Sequence, residues 1–146
     1  MRGADGMATA DAISPKIRAR IIHAALVLGI LMFGAVAFII RDRSIPSEAL
    51  PDRRVLYVAL ALVSATLFGA AAFMTGRLPA PAPGATEDDW WSANLGRVLV
   101  SWSLVEAPTV LGLVVYMLTH DFRTLLAPFI GLLLFANYRP RRLTER

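Results

Sequence analysis

The chain contains no cysteine. That excludes disulfide staples and thiolate metal sites, and it removes any redox clue to the compartment. Histidine is nearly as scarce, with only His23 and His120. Each lies near an end of an apolar run, on opposite sides of the layer such runs would cross, so neither is placed to share a metal ion. Charge is short as well: 18% of the 146 residues are Asp, Glu, Lys or Arg, against roughly 25% in a soluble domain. There is no phosphate-cradling glycine loop, no nucleophile elbow, no pair of carboxylates at one depth and no His/Asp/Glu spacing of metal ligands. Little remains from which to build a catalytic or cofactor site, and the expectation is a protein that is not an enzyme and carries no cofactor or metal.

What is abundant is apolar surface. Hydrophobic residues make up 56% of the chain, and its mean hydropathy is +0.56. The charged residues gather in patches that separate four apolar runs, at about residues 21–40, 55–75, 98–119 and 122–138. About 20 helical residues at 1.5 Å each cross the hydrocarbon layer of a bilayer. In hydrocarbon every backbone amide needs an internal partner, so each run is read as a helix, and runs of this length are the wrong pattern for barrel strands. The expected fold is all-α: an integral membrane four-helix bundle of two antiparallel hairpins. Residues 1–15 read as a mobile tail, 16–140 as one four-span domain and 141–146 as a basic tail. An Ala-Val-Ala triplet at 35–37 imitates a signal-peptide cleavage site, but the apolar run continues to Ile40 and is longer than a usual signal core. It is read as a retained helix.

The net charge of +4 comes from arginines bordering the apolar runs, where they orient helices and meet anionic headgroups. With neither a basic groove nor a set of stacking aromatics, nucleic acid is not an expected partner. Four spans put the N-terminal segment, the central loop and the C-terminal segment on one side. Together these carry 10 Lys and Arg, against 5 on the other side (Arg41, Arg43, Arg53, Arg54 and Arg123). That excess predicts both termini in the cytoplasm and a multi-pass protein of the bacterial inner membrane.

One residue breaks the apolar pattern. Glu106 lies inside the third run, with Pro108 two positions later. An acid at the centre of a membrane helix costs about 2.5–3.5 kcal/mol on insertion scales. At about 100° per residue, Ser103 and Thr109 fall to either side of it, one turn away in each direction. Pro108 has no amide hydrogen to give the Leu104 carbonyl. The expectation is a polar notch, serving as a proton-binding carboxyl, as a polar interface to a partner subunit, or as a Glu satisfied within its own bundle by Ser64 or Thr66.

Lipid tails give helices no hydrophobic reason to associate, so small residues that allow close approach mark contacts. Ala61, Ala65 and Gly69 recur at four-residue spacing in the second run, and Ala25 and Gly29 in the first. They are read as helix-packing positions within the chain or as an oligomer interface. Before the third run, Thr86 and Asp89 have the spacing of a capping box, and Trp90 and Trp91 fit the headgroup belt. That segment reads as a short interfacial helix or a docking patch. Asp121 is a plausible N-cap for the fourth helix.

The third run resembles the outer helix of the ATP synthase rotor-ring proteolipid, subunit c. The resemblance rests on Arg97, on Leu104-Val105-Glu106-Ala107-Pro108 and on Gly112, and it implies that Glu106 carries a proton. The whole chain resembles small bacterial four-span membrane proteins of uncharacterised activity, which also enter the first helix through basic residues and close on a short last helix ending in Arg-Pro. That resemblance implies the topology and no activity. The functional expectation is an accessory or structural membrane subunit, partnered by the bilayer and by other membrane subunits or copies of itself. The alternative is a proteolipid-like proton-binding subunit or small transporter using Glu106.

Overall fold

The computed structural model describes residues 13–40 and 52–145. Residues 1–12 of the tail expected at 1–15, and the basic first turn at 41–51, lie outside the described residues; Pro15 already belongs to the first helix. Within them the chain is helical, with no strand: α1 Pro15–Ile40, α2 Arg53–Gly76, α3 Glu87–Thr119, α4 Leu126–Asn137 and α5 Pro140–Thr144, with a 3-10 turn at Phe122–Leu125 leading into α4. Among the described residues α1, α2 and α3 are long and apolar enough to cross a membrane, while the helix from Phe122 to Asn137 is shorter. It reaches only about 25 Å. This is the helix content and apolarity of a small membrane protein.

The arrangement differs from two packed hairpins. α3 is a central rod, with α1, α2 and α4 laid around it, and α1 packs far less against α2 than either does against α3. Residue pairs set the registers. α1 runs parallel to α3: the His23 and Trp102 rings stand 5.0 Å apart, as do those of Phe38 and Tyr116, and Gly34 faces Leu113 between them. α2 runs antiparallel to α3. The Tyr57 hydroxyl donates to Asp121 at one end (2.8 Å), and Trp90 Nε1 donates to the Pro79 carbonyl at the other (2.8 Å). α4 returns antiparallel, aligning Gly112 with Pro128, Thr109 with Gly131 and Trp102 with Tyr138.

The tightest approach is between α3 and α4. A β-carbon added at Gly131 would fall on the Thr109 hydroxyl, and one at Gly112 would come within 2.5 Å of Pro128 Cδ. Thr109 is fully buried and returns its hydroxyl to the Val105 carbonyl at 2.6 Å. Such back-bonding lets a polar side chain sit in a helix interface with no donor left over. The small residues singled out from the sequence are not used this way. Ala25, Gly29, Ala61, Ala65 and Gly69 are all exposed, and β-carbons at Gly29 or Gly69 would meet nothing within 4 Å. Spacing alone shows where a helix is smooth; the contact is made where a partner of matching register exists.

α3 is also longer than its apolar run. Its 33 residues make a rod of about 50 Å, so the acidic segment expected as a separate interfacial helix is the continuous first third of α3. The capping box at its start is complete, with Thr86 and Asp89 bonding reciprocally. Hydrogen bonds from the Thr86 side chain and backbone hold the Asp89 carboxyl below its ordinary range. The neighbouring acids secure α1. Asp88 accepts from the Ser14 hydroxyl at 2.7 Å and from the Lys16 amide at 3.2 Å, capping that helix, and Glu87 pairs with the Lys16 ammonium. α5 also packs against α1, so both ends of the described chain lie at one end of the bundle. The stretch expected as a basic tail is largely this short helix, which buries Leu143.

Gly131→Ala is expected to destabilise the protein by about 1–3 kcal/mol through overpacking, while Gly69→Ala and Gly29→Ala should stay within about 0.5 kcal/mol of wild type. Thermal unfolding in detergent checks this, and adding Thr109→Ala to Gly131→Ala should recover part of the loss.

Candidate functional site: the carboxyl of the central helix

Glu106 sits on the helix against which α1, α2 and α4 all pack, and its position follows from how α3 divides its surface. Trp102, Val105, Pro108, Thr109, Gly112 and Leu113 are buried, whereas Val100, Ser103 and Ala107 form an outward stripe. Glu106 lies at the edge of that stripe, half-exposed. Among the described residues its carboxyl has no hydrogen-bond or ion-pair partner.

The notch expected from helix spacing is therefore not assembled. Ser103 faces outward, Thr109 faces α4 with its hydroxyl already used, and Pro108 is buried in a helix that continues unbroken. Nor do Ser64 and Thr66 supply a partner: Thr66 is exposed, and the Ser64 hydroxyl is buried with no partner of its own. The expected angles were right, but 60° either way on α3 separates the α4 interface from the outer surface.

His23 is half-buried, bonded through Nε2 to the Phe135 carbonyl at 3.1 Å, with its ring edge-on to Trp102 and Phe135. The α1–α3 register puts His23 level with Trp102, four residues from Glu106, which is about 6 Å along the axis. His120, by contrast, is exposed and closes α3 in the left-handed conformation at φ 54°. The two histidines are separate, and among the described residues no group of His, Asp and Glu is placed to hold a metal ion.

The tryptophans also depart from expectation. Trp90 and Trp91 are 4% and 1% exposed, so they present no docking patch. Trp90 uses its N–H on Pro79, folding the proline-rich linker back over α3, and stacks edge-on with Trp91 at 5.0 Å. Trp102 donates to the Tyr138 carbonyl at 3.1 Å, at the end of α4. Buried indoles require such partners. Carbonyls supplied by a linker and a helix end are invisible to a rule that assigns tryptophan to the headgroups.

At the opposite end Asp121 caps the 3-10 turn, as expected. It accepts from the Arg123 amide at 2.9 Å and from the Tyr57 hydroxyl, so it ties α2 to the α3–α4 turn. These bonds, the Arg123 amide first, hold its carboxyl below the usual carboxylate range.

Comparison with protein-family models, curated proteins and solved structures yields no match. Function is accordingly argued from this geometry.

A carboxylate with a lowered folded value stabilises above its unfolded value, near 4, and loses that contribution as pH falls through the folded one. The tie between α2 and the turn should thus hold at neutral pH and fail only in strong acid. Exchange of the Arg123 amide, corrected for its intrinsic pH dependence, should accelerate there, and Asp121→Ala should produce the same acceleration at pH 7.

Proposed function

We propose that this protein is an accessory or structural component of the bacterial inner membrane, assembling with companion subunits or further copies of itself, with both termini in the cytoplasm. One observation carries the reading: Glu106 stands partly buried inside a span, with no partner for its carboxyl among the described residues. An unpaired polar group facing hydrocarbon costs several kcal/mol, and intramembrane acids pair or face a polar cavity. A neighbouring helix that hydrogen-bonds the carboxyl removes that cost. The unused small residues of α1 support the same reading, since Ala25 and Gly29 leave a smooth exposed track of the kind that admits another helix closely. Its role is association rather than catalysis.

A second reading, the proteolipid-like proton carrier, draws on the same exposure together with His23 one turn away. A carboxyl at the rim of a bundle can exchange a proton with a passing partner.

On the accessory reading, Glu106→Leu leaves the unfolding temperature of the isolated protein unchanged, because no internal bond is lost, but strips away the companions or copies recovered by gentle detergent extraction. Glu106→Gln, which can still donate a hydrogen bond, retains them. Recovery of the wild-type chain as a lone monomer from its native membrane overturns this reading. Selective carbodiimide labelling of Glu106, with loss of a proton-coupled activity in Glu106→Gln, establishes the proton carrier instead.

A further inference from the structure

α2 and α4 both pack on α3 but barely meet each other, and between them lies a groove of about 390 Å³. This volume falls in the range of small-molecule sites. Its chemistry is ordered along its length. At the mouth stand Tyr57 and Arg123, the floor midway is Ser64 flanked by Ala61 and Ala65, and the far end is apolar, closed by Phe68 and Ile130. Tyr57 to Phe68 spans about 16 Å of helix. The groove exists because α2 turns alanines toward it where bulkier residues would fill the space.

Two observations say what it accepts. Ser64 is 8% exposed, and among the described residues its hydroxyl is the only buried side-chain polar atom without a hydrogen bond. The buried Thr75, Thr109 and Thr119 instead return theirs to the carbonyl four residues back. Arg123 makes no side-chain hydrogen bond and no ion pair among the described residues. The nearby carboxylate, Asp121, is already engaged by the Arg123 amide and by Tyr57, and Arg53 adds positive charge to the same end. The occupant must therefore present an anion at the mouth, an acceptor oxygen midway and a hydrocarbon chain beyond it.

We infer that the α2–α4 groove is a binding site for one anionic glycerophospholipid of the surrounding bilayer. Its phosphate pairs with Arg123, an ester carbonyl accepts from Ser64, and an acyl chain lies against Ala61, Ala65 and Phe68. An arginine at the mouth suits a phosphate, which its guanidinium fork can grip through paired charge-assisted hydrogen bonds. The occupant fills a wedge that α2 and α4 leave open, and so braces α2. This inference is independent of Glu106, which lies on another face of α3.

Native mass spectrometry of the full chain, released from nanodiscs of mixed phosphatidylglycerol and phosphatidylcholine, tests it. The wild type should retain one phosphatidylglycerol per chain. Arg123→Ala should weaken retention about fivefold and abolish the preference for the anionic lipid, while Arg123→Lys keeps the preference. Ser64→Ala should weaken retention of both lipids, and Ala65→Phe, which fills the groove, should abolish it. Equal retention of the two lipids by wild type, or undiminished retention in Ala65→Phe, overturns the inference. So does a crosslinker at position 65 capturing a protein helix in place of lipid. Circular dichroism of each variant establishes that it is folded; were Ala65→Phe to unfold, Ala61→Leu would serve as the filling variant.

Discussion

The contact of Thr109 with Gly131 holds the rest of the structure in register. Helices in lipid gain little from burying apolar surface against one another, and what binds them is close packing that lipid chains cannot match. α4 is short, and it obtains that packing by presenting Gly131 to a threonine and Pro128 to Gly112. With α4 pressed so closely on α3, Trp102 reaches the Tyr138 carbonyl, Phe135 closes on His23, and the turn through Asp121 meets Tyr57. One close approach thus positions α1 and α2 as well, through the aromatic residues and the turn that follow from it.

The same contact explains why Glu106 is left outside. α3 gives its α4-facing side to Thr109 and Gly112, and on the side of α1 it presents Trp102, Leu113 and Tyr116. Only the remaining sector carries Ser103, Ala107 and, at its edge, Glu106. The acid is therefore surplus to the internal packing. Its place on the rigid central rod gives it a fixed height and direction relative to every other helix, which suits a group that meets something beyond the chain. The exposed faces of α1 and α2 fit this: Leu28, Met32, Ile39 and Leu62 all point outward, at home against lipid or another helix.

The apolar helices, the capping box at Thr86 and Asp89, the Asp121 cap and the oddity of Glu106 were all legible in the sequence. Each follows from a local rule: hydropathy over about 20 residues, a side chain reaching its own backbone, or a charge where none is tolerated. What misled was pattern without a partner. The stripe Ala61, Ala65 and Gly69 is smoother than anything on α3, yet nothing packs on it, whereas the glycines in contact, Gly112 and Gly131, belong to no repeat. The burial of Trp90 and Trp91 was not legible, because Trp90 takes its acceptor from the distant Pro79 and Trp91 packs against Trp90 and Trp102.

By itself, the sequence determined that this protein is made of apolar helices and that one of them bears an acid, because apolar runs of this length satisfy their own backbone amides as helices. Only the tertiary structure decided that α3 stands at the centre, that its acid lies partly buried at the edge of the outward sector and that a basic-mouthed groove opens beside α2. Those outcomes depend on which surfaces approach within van der Waals distance, a property of pairs of helices that no single helix carries in its residues.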